Sequence, residues 1–191
     1  MKYLSYSVLA SALLMSGVSH ATNTITFTGT ITDATCEVAL QDAKGTQISA
    51  TGSGDITLNE VSKSDLSAAN SVAGPTRFSI VAKNCVLGAS GKSKISASFM
   101  SNNADNQGYL NNTATAETGA ASGVQLKLLD SAQKFIKVND PAQADTATWI
   151  DIVTEDPATT VMPFYVEYYS APGSATGGTI TSKVTYELIY D

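Results

Sequence analysis

Almost everywhere beyond residue 21 the apolar side chains fall on alternate positions, and a two-residue period is incompatible with the 3.6-residue turn of an α-helix. This period predicts strands at Thr24–Ile31, Cys36–Leu40, Asp55–Val61, Thr76–Cys85, Lys94–Met100 and Val124–Leu129, then at Phe135–Val138, Thr148–Val153, Val161–Tyr169 and Thr179–Tyr190. Turn-forming clusters separate them: GASGKS (88–93), SNNADNQG (101–108), ETGAASG (117–123) and SAPGSATGG (170–178). Only Ser62–Ser71 reads as a helical turn or two. Many short strands with such turns predict an all-β sandwich.

The first 21 residues, MKYLSYSVLASALLMSGVSHA, break this pattern. Lys2, an apolar stretch from Leu4 to Val18, and the small residues Ser19 and Ala21 around His20 are the marks of a secretory signal peptide cleaved after Ala21. The apolar stretch is too short and too rich in serine for a membrane span. The expectation is an exported chain with one domain. Cleavage would remove one lysine and no acid, taking the net charge from −6 to −7. So acidic a balance argues against a nucleic-acid partner.

Cys36 and Cys85 are the two cysteines. In an exported chain, two thiols read as one disulfide, with a pair of buried free thiols as the alternative. Closing a loop of about 50 residues is worth roughly 4 kcal/mol in the chain-entropy account. A zinc pair is disfavoured, because the sole histidine, His20, leaves with the signal peptide.

Loss of that histidine also removes the commonest general base, so Ser-His-Asp and Cys-His sites are excluded from the mature chain. Gly91-Lys92-Ser93 ends like a phosphate-binding loop, but the pattern needs glycine where Val86 stands, so GASGKS reads as a hairpin loop. Ser131 and Lys134 have S-x-x-K spacing without its companion elements. Asp151, Glu155 and Asp156 lack a calcium-loop pattern and read as a solvated acidic turn. Asn111-Asn112-Thr113 spells a glycosylation sequon, to which no role is assigned. No enzyme, cofactor, metal or small-molecule substrate is expected.

Two strands at the ends of the mature chain are unusual. In ITFTGTITDATC, Ile25, Phe27, Gly29 and Ile31 share one face, and a glycine within a strand marks a bulge or a close approach. In TITSKVTYELIYD, Ile180, Ser182, Val184, Tyr186, Leu188 and Tyr190 share one face, up to the penultimate residue.

Together with TRFSIVAKNC, ASGVQLKLLD, MPFYVEYYS and the Cys36–Cys85 spacing, these stretches resemble the type 1 pilins, the subunit family of chaperone-usher fimbriae. The penultimate Tyr190 and Gly178, fourteenth from the end, match two positions of that family. The resemblance implies an incomplete immunoglobulin-like sandwich lacking its seventh strand, with residues 22–35 as a donor-strand extension and 36–191 as the pilin domain. It also implies donor residues Ile25, Phe27, Gly29 and Ile31, and a groove strand carrying Gly178, Val184, Tyr186, Leu188 and Tyr190. Implied partners are other copies of the chain, other fimbrial subunits, a periplasmic chaperone and an outer-membrane usher. The implied role is a structural subunit of a surface fimbrium used in adhesion, the major pilin, exported through the periplasm. The alternatives are a minor or adaptor subunit, or a single-domain adhesin binding carbohydrate or a host protein.

Overall fold

The alternating stretches Thr76–Cys85 and Val161–Tyr169 lie in the two longest strands, paired at the centre of the larger sheet. In a computed structural model, which describes residues 34–89 and 91–191, the strands are β1 (Thr35–Gln41), β2 (Gln47–Ser49), β3 (Ser71–Val86), β4 (Lys94–Met100) and β5 (Leu110–Asn111). They continue with β6 (Gln125–Leu129), β7 (Ile150–Asp151), β8 (Thr159–Ser170) and β9 (Thr185–Tyr190). One sheet runs β2-β1-β3-β8-β6-β5 and the other β7-β4-β9. Within each sheet the ladders are antiparallel. The signal-peptide and donor-strand readings fall on residues outside those described.

Alternation places Phe78, Ile80 and Ala82 of β3 and Met162, Phe164 and Val166 of β8 on one face, where they meet Ile95, Ala97 and Phe99 of β4. Ile80, Ile95 and Met162 are fully buried, and Phe99 is 1% exposed. Burial of each such side chain contributes about 1.5–3 kcal/mol. Phe164 is central: its ring lies 5.8 Å from Phe78 and 5.0 Å edge-on to Phe99, joining the two layers.

β3 could not run straight for its whole length. Its register slips between Ala73 and Thr76, at Gly74 (φ +60°) and Pro75, whose ring removes a backbone donor. Near its other end Cys85 is joined to Cys36 of β1, with Cα atoms 4.1 Å apart, as the disulfide reading expects. The short helical pieces are a 3-10 turn at Lys63–Leu66 inside the predicted Ser62–Ser71 segment, another at Ala116–Thr118, and one α-turn at Gln143–Thr146.

Several expectations are corrected. GASGKS is no hairpin loop: β3 and β4 belong to different sheets, so it carries the chain from one layer to the other. Phe135–Val138 forms no strand, since Phe135 makes a single bridge to Leu129 and its ring instead stacks on Tyr109 at 4.7 Å. Asp55–Val61 alternates in burial only from Asp55 to Asn59 and joins no ladder. Thr179–Tyr190 is laddered only over Thr185–Tyr190. Ser131 and Lys134 lie in a tight turn in which Asp130 Oδ1 accepts from the N–H groups of Ala132 (2.9 Å) and Lys134 (2.8 Å).

One edge of the smaller sheet is finished by side chains. β7 covers β4 only at Lys94 and Ile95. Further along, buried Gln143 takes the place of a strand: its Oε1 accepts from the Phe99 N–H at 2.8 Å and its Nε2 donates to the Phe99 carbonyl at 2.8 Å. Asn139 treats Ser101 the same way, at 2.9 and 2.8 Å. Gln143→Ala leaves the buried Phe99 N–H without a partner, while the Phe99 carbonyl keeps the Asn139 N–H at 3.1 Å, and is expected to lower stability by about 2 kcal/mol. Urea unfolding followed by fluorescence checks this; a midpoint equal to that of the wild type would show that the amide plays no such part.

Candidate functional site

The opposite edge of the same sheet has no such finish. Lys94 and Asp191 exchange backbone hydrogen bonds, the Lys94 N–H donating to Asp191 at 2.9 Å and the Asp191 N–H donating back at 3.0 Å. The register then continues Ser96↔Ile189, Ser98↔Glu187 and Met100↔Thr185. In an antiparallel ladder the bonded pairs alternate, so Tyr186, Leu188 and Tyr190 turn their N–H and C=O groups away from β4. Among the described residues β9 pairs with β4 alone, and no described residue takes those groups.

The side chains of the same residues point into the sandwich yet are only half-buried. From Thr179 to Leu188 exposure alternates strictly, and Ile180, Ser182, Val184, Tyr186 and Leu188 form the inner row. None of them reaches the burial of the facing Ile95, Ala97 and Phe99. Ser182 Oγ is buried there without a hydrogen-bond partner among the described residues. Such a row is a core face that the described residues leave half-covered.

Across from β9 lies the unladdered segment after β2. Ile56 and Leu58 are half-buried against the core, with Asp55, Thr57 and Asn59 facing out. Within 53–61, only Asn59 has its N–H bonded to a described residue, Thr76 Oγ1 at 3.0 Å. The two sides are joined at Gly52, whose carbonyl accepts the Tyr186 hydroxyl at 2.9 Å. Nearer the disulfide, the Tyr190 hydroxyl reaches Cys36 Sγ at 3.6 Å. Burial pushes the pKa of both phenols up, so they stay protonated and able to donate. Two backbone edges largely without partners among the described residues, flanking a half-covered apolar floor, make a slot shaped for an extended chain.

The stretch before β9 is fixed by a loop instead of a ladder. Ala121 N–H donates to the Thr179 carbonyl at 2.9 Å, and Thr113 N–H to that of Thr181 at 2.7 Å. Asn112 completes the clamp, its Oδ1 accepting from Thr181 N–H and its Nδ2 donating to the Thr179 carbonyl, both at 2.9 Å. Gly178 enters this clamp with φ +149°, and a Cβ there would strike the Gly119 carbonyl and lie 2.6 Å from Ala121 N. Glycine is therefore required by close backbone approach.

Of the site residues read from sequence, Val184, Tyr186, Leu188 and Tyr190 thus share the slot, Gly178 stands at its entrance, and Cys36 and Cys85 brace its far end. Ile25, Phe27, Gly29 and Ile31 lie outside the described residues. Sequence reasoning missed Gly52, Asn112 and the acceptor side Ile56 and Leu58. The alternation in Asp55–Val61 carried a signal for the last two; Gly52 and Asn112 stand in turn-like stretches with none. Asp151, Glu155 and Asp156 are exposed, and among the described residues no group of acids, cysteines and histidines is arranged to hold a metal ion.

The comparisons agree with this geometry. The family described as "Fimbrial protein" matches residues 25–191. A major fimbrial subunit of Stenotrophomonas maltophilia, SMF-1, is 36% identical over 189 residues, covering 96% of this chain and all of the other. The F17 fimbrial protein of Escherichia coli is 34% identical over 170 residues, covering 87% and 86% of the two chains. The fold is similar to that of the P pilus rod subunit PapA, with a TM-score of 0.52 and 18% identity over 73% of this chain and 94% of that one. A type I fimbria protein and antigen of Burkholderia pseudomallei has a TM-score of 0.50 at 22% identity, covering 82% and 99%. The sandwich is thus the immunoglobulin-like one of pilins, and the chain belongs to the fimbrial protein family as a structural subunit that assembles with other subunits into a surface fimbrium.

Proposed function

We propose that the chain polymerises by donor-strand exchange, each copy giving its residues 22–33 to the slot beside β9 of the next. The observation that carries this reading is the row Tyr186, Leu188 and Tyr190, whose backbone groups face away from β4 and whose side chains form a half-covered floor. An added strand satisfies the backbone edge and the core together, the mode by which pilins are complemented. Ile25, Phe27 and Ile31 would enter the floor, with Gly29 over its shallowest point. Each copy has one donor and one acceptor, so the contact is head-to-tail and gives an open filament.

The rest of the pathway follows from this acceptor. Residues 1–21 direct export, and a periplasmic chaperone covers the slot until an outer-membrane usher brings the next subunit. The likeness to SMF-1 along nearly its whole length supports the major, repeating subunit.

Deletion of residues 22–33 from the exported chain is expected to leave a subunit that is still recovered with its chaperone but forms no fimbriae by electron microscopy. Normal filaments from the truncated chain would overturn the donor assignment. Gly178→Ala forces a Cβ into the backbone at 119–121. It is expected to destabilise the subunit by about 1–3 kcal/mol and to lower recovery of the chaperone complex. Recovery at the wild-type level in periplasmic pull-downs would remove Gly178 from the groove assignment.

A further inference from the structure

The wall facing β9 is a suspended span. At one end the Gly52 carbonyl is held by the Tyr186 hydroxyl at 2.9 Å. At the other, Asn59 donates its N–H to Thr76 Oγ1 at 3.0 Å and its Nδ2 to the Pro75 carbonyl at 3.1 Å. Between these ties, Ser53–Leu58 make no ladder and rest on the core through Ile56 and Leu58.

The tie at Gly52 is built to close tolerance. Gly52 is buried with φ +73°, and a Cβ there would collide with the Tyr186 hydroxyl and lie 2.7 Å from Val38 Cγ2. Tyr186 is fixed in turn by its place opposite Phe99, the two rings 6.2 Å apart at 46°. Its hydroxyl thus crosses from the strand with the free edge to the carbonyl where the unladdered span begins. Since the floor remains half-exposed with this bond in place, the bond holds the slot at a set width without sealing it.

We propose that Tyr186 is a positioning residue for strand capture: its hydroxyl holds the span 53–58 beside β9 before any strand arrives, so that both lips are in place to receive one. This rests on the donor-strand reading above. A span held at both ends samples few conformations, and the fraction of molecules ready to bind is high. Releasing one end lowers that fraction, and observed association falls in proportion. Once a strand is inserted it ladders the span itself, so dissociation no longer depends on the tie.

The test uses the full exported chain, purified as a monomer, and a fluorescent peptide of residues 22–33 (TNTITFTGTITD) followed by anisotropy. Tyr186→Phe is expected to slow association about fivefold, the scale of one neutral hydrogen bond, while leaving the dissociation rate unchanged. Thr76→Val combined with Asn59→Ala, which removes both hydrogen bonds at the other end, is expected to show the same split and serves if the tyrosine variant fails to fold. Wild-type association in the variant, or a faster dissociation with unchanged association, overturns the positioning role and leaves strand addition standing. No uptake of the peptide by the wild-type chain overturns strand addition, and the positioning role with it.

Discussion

Backbone hydrogen bonding at the two edges of a three-stranded sheet governs the rest of this molecule. A strand in a buried sheet must place its N–H and C=O groups somewhere, and the β7-β4-β9 sheet solves this in opposite ways on its two sides. Beyond β7, the amides of Gln143 and Asn139 stand in for a neighbouring strand at Phe99 and Ser101. Beyond β9, Tyr186, Leu188 and Tyr190 have no equivalent cover among the described residues. The first arrangement shows how cheaply the chain closes an edge, which makes the second a property of the fold and not a deficiency of local sequence. The same three residues leave their side chains half-covered, so polar and apolar demands coincide along one line. A single extended segment answers both, whereas a helix would leave the edge unpaired and a loose apolar contact would leave it dry and unbonded.

The strands of the central core were legible because one face of each is buried: Lys94–Met100 is the same in sequence and structure, β1, β3 and β8 extend beyond their expected bounds, and β6 begins one residue later than expected. Where expectation and structure part, the reason is that alternation reports which side chains face inward and is silent about what lies alongside. Asp55–Asn59 and Thr179–Val184 have the inward and outward faces of strands, but among the described residues no neighbouring strand ladders them. β2 and β5, three and two residues long, are too short to show a period. Gln143 sits in a polar turn, and only the fold reveals that its amide is buried against Phe99. Within the slot, the β9 row was readable from its period, Gly178 and Tyr190 entered through the family resemblance, and the Gly52 tie required three dimensions because Gly52 and Tyr186 are 134 residues apart.

Local rigidity is distributed accordingly. The centre is held by the β3–β8 ladder and by Phe164, which joins the layers. The loop clamp of Asn112 on Thr179 and Thr181 fixes the approach to β9 from the outside. The span between Gly52 and Asn59 joins no ladder and rests on the core through Ile56 and Leu58, so an incoming segment can pair with it without disturbing the central strands.

The disulfide has a mechanical consequence. Cys36 is the second residue of β1, and its bond leads straight to Cys85 near the end of β3, the longest strand of the larger sheet. A pull applied to the chain ahead of Thr35 therefore passes through covalent bonds into β3 before it can shear the rest of β1 from its neighbours. From β3 the load spreads over the long ladder with β8, in which many hydrogen bonds share it. Whatever is attached to the amino-terminal side of this domain is thus hauled against the strongest part of the sheet, and β1 is spared from being peeled away one bond at a time.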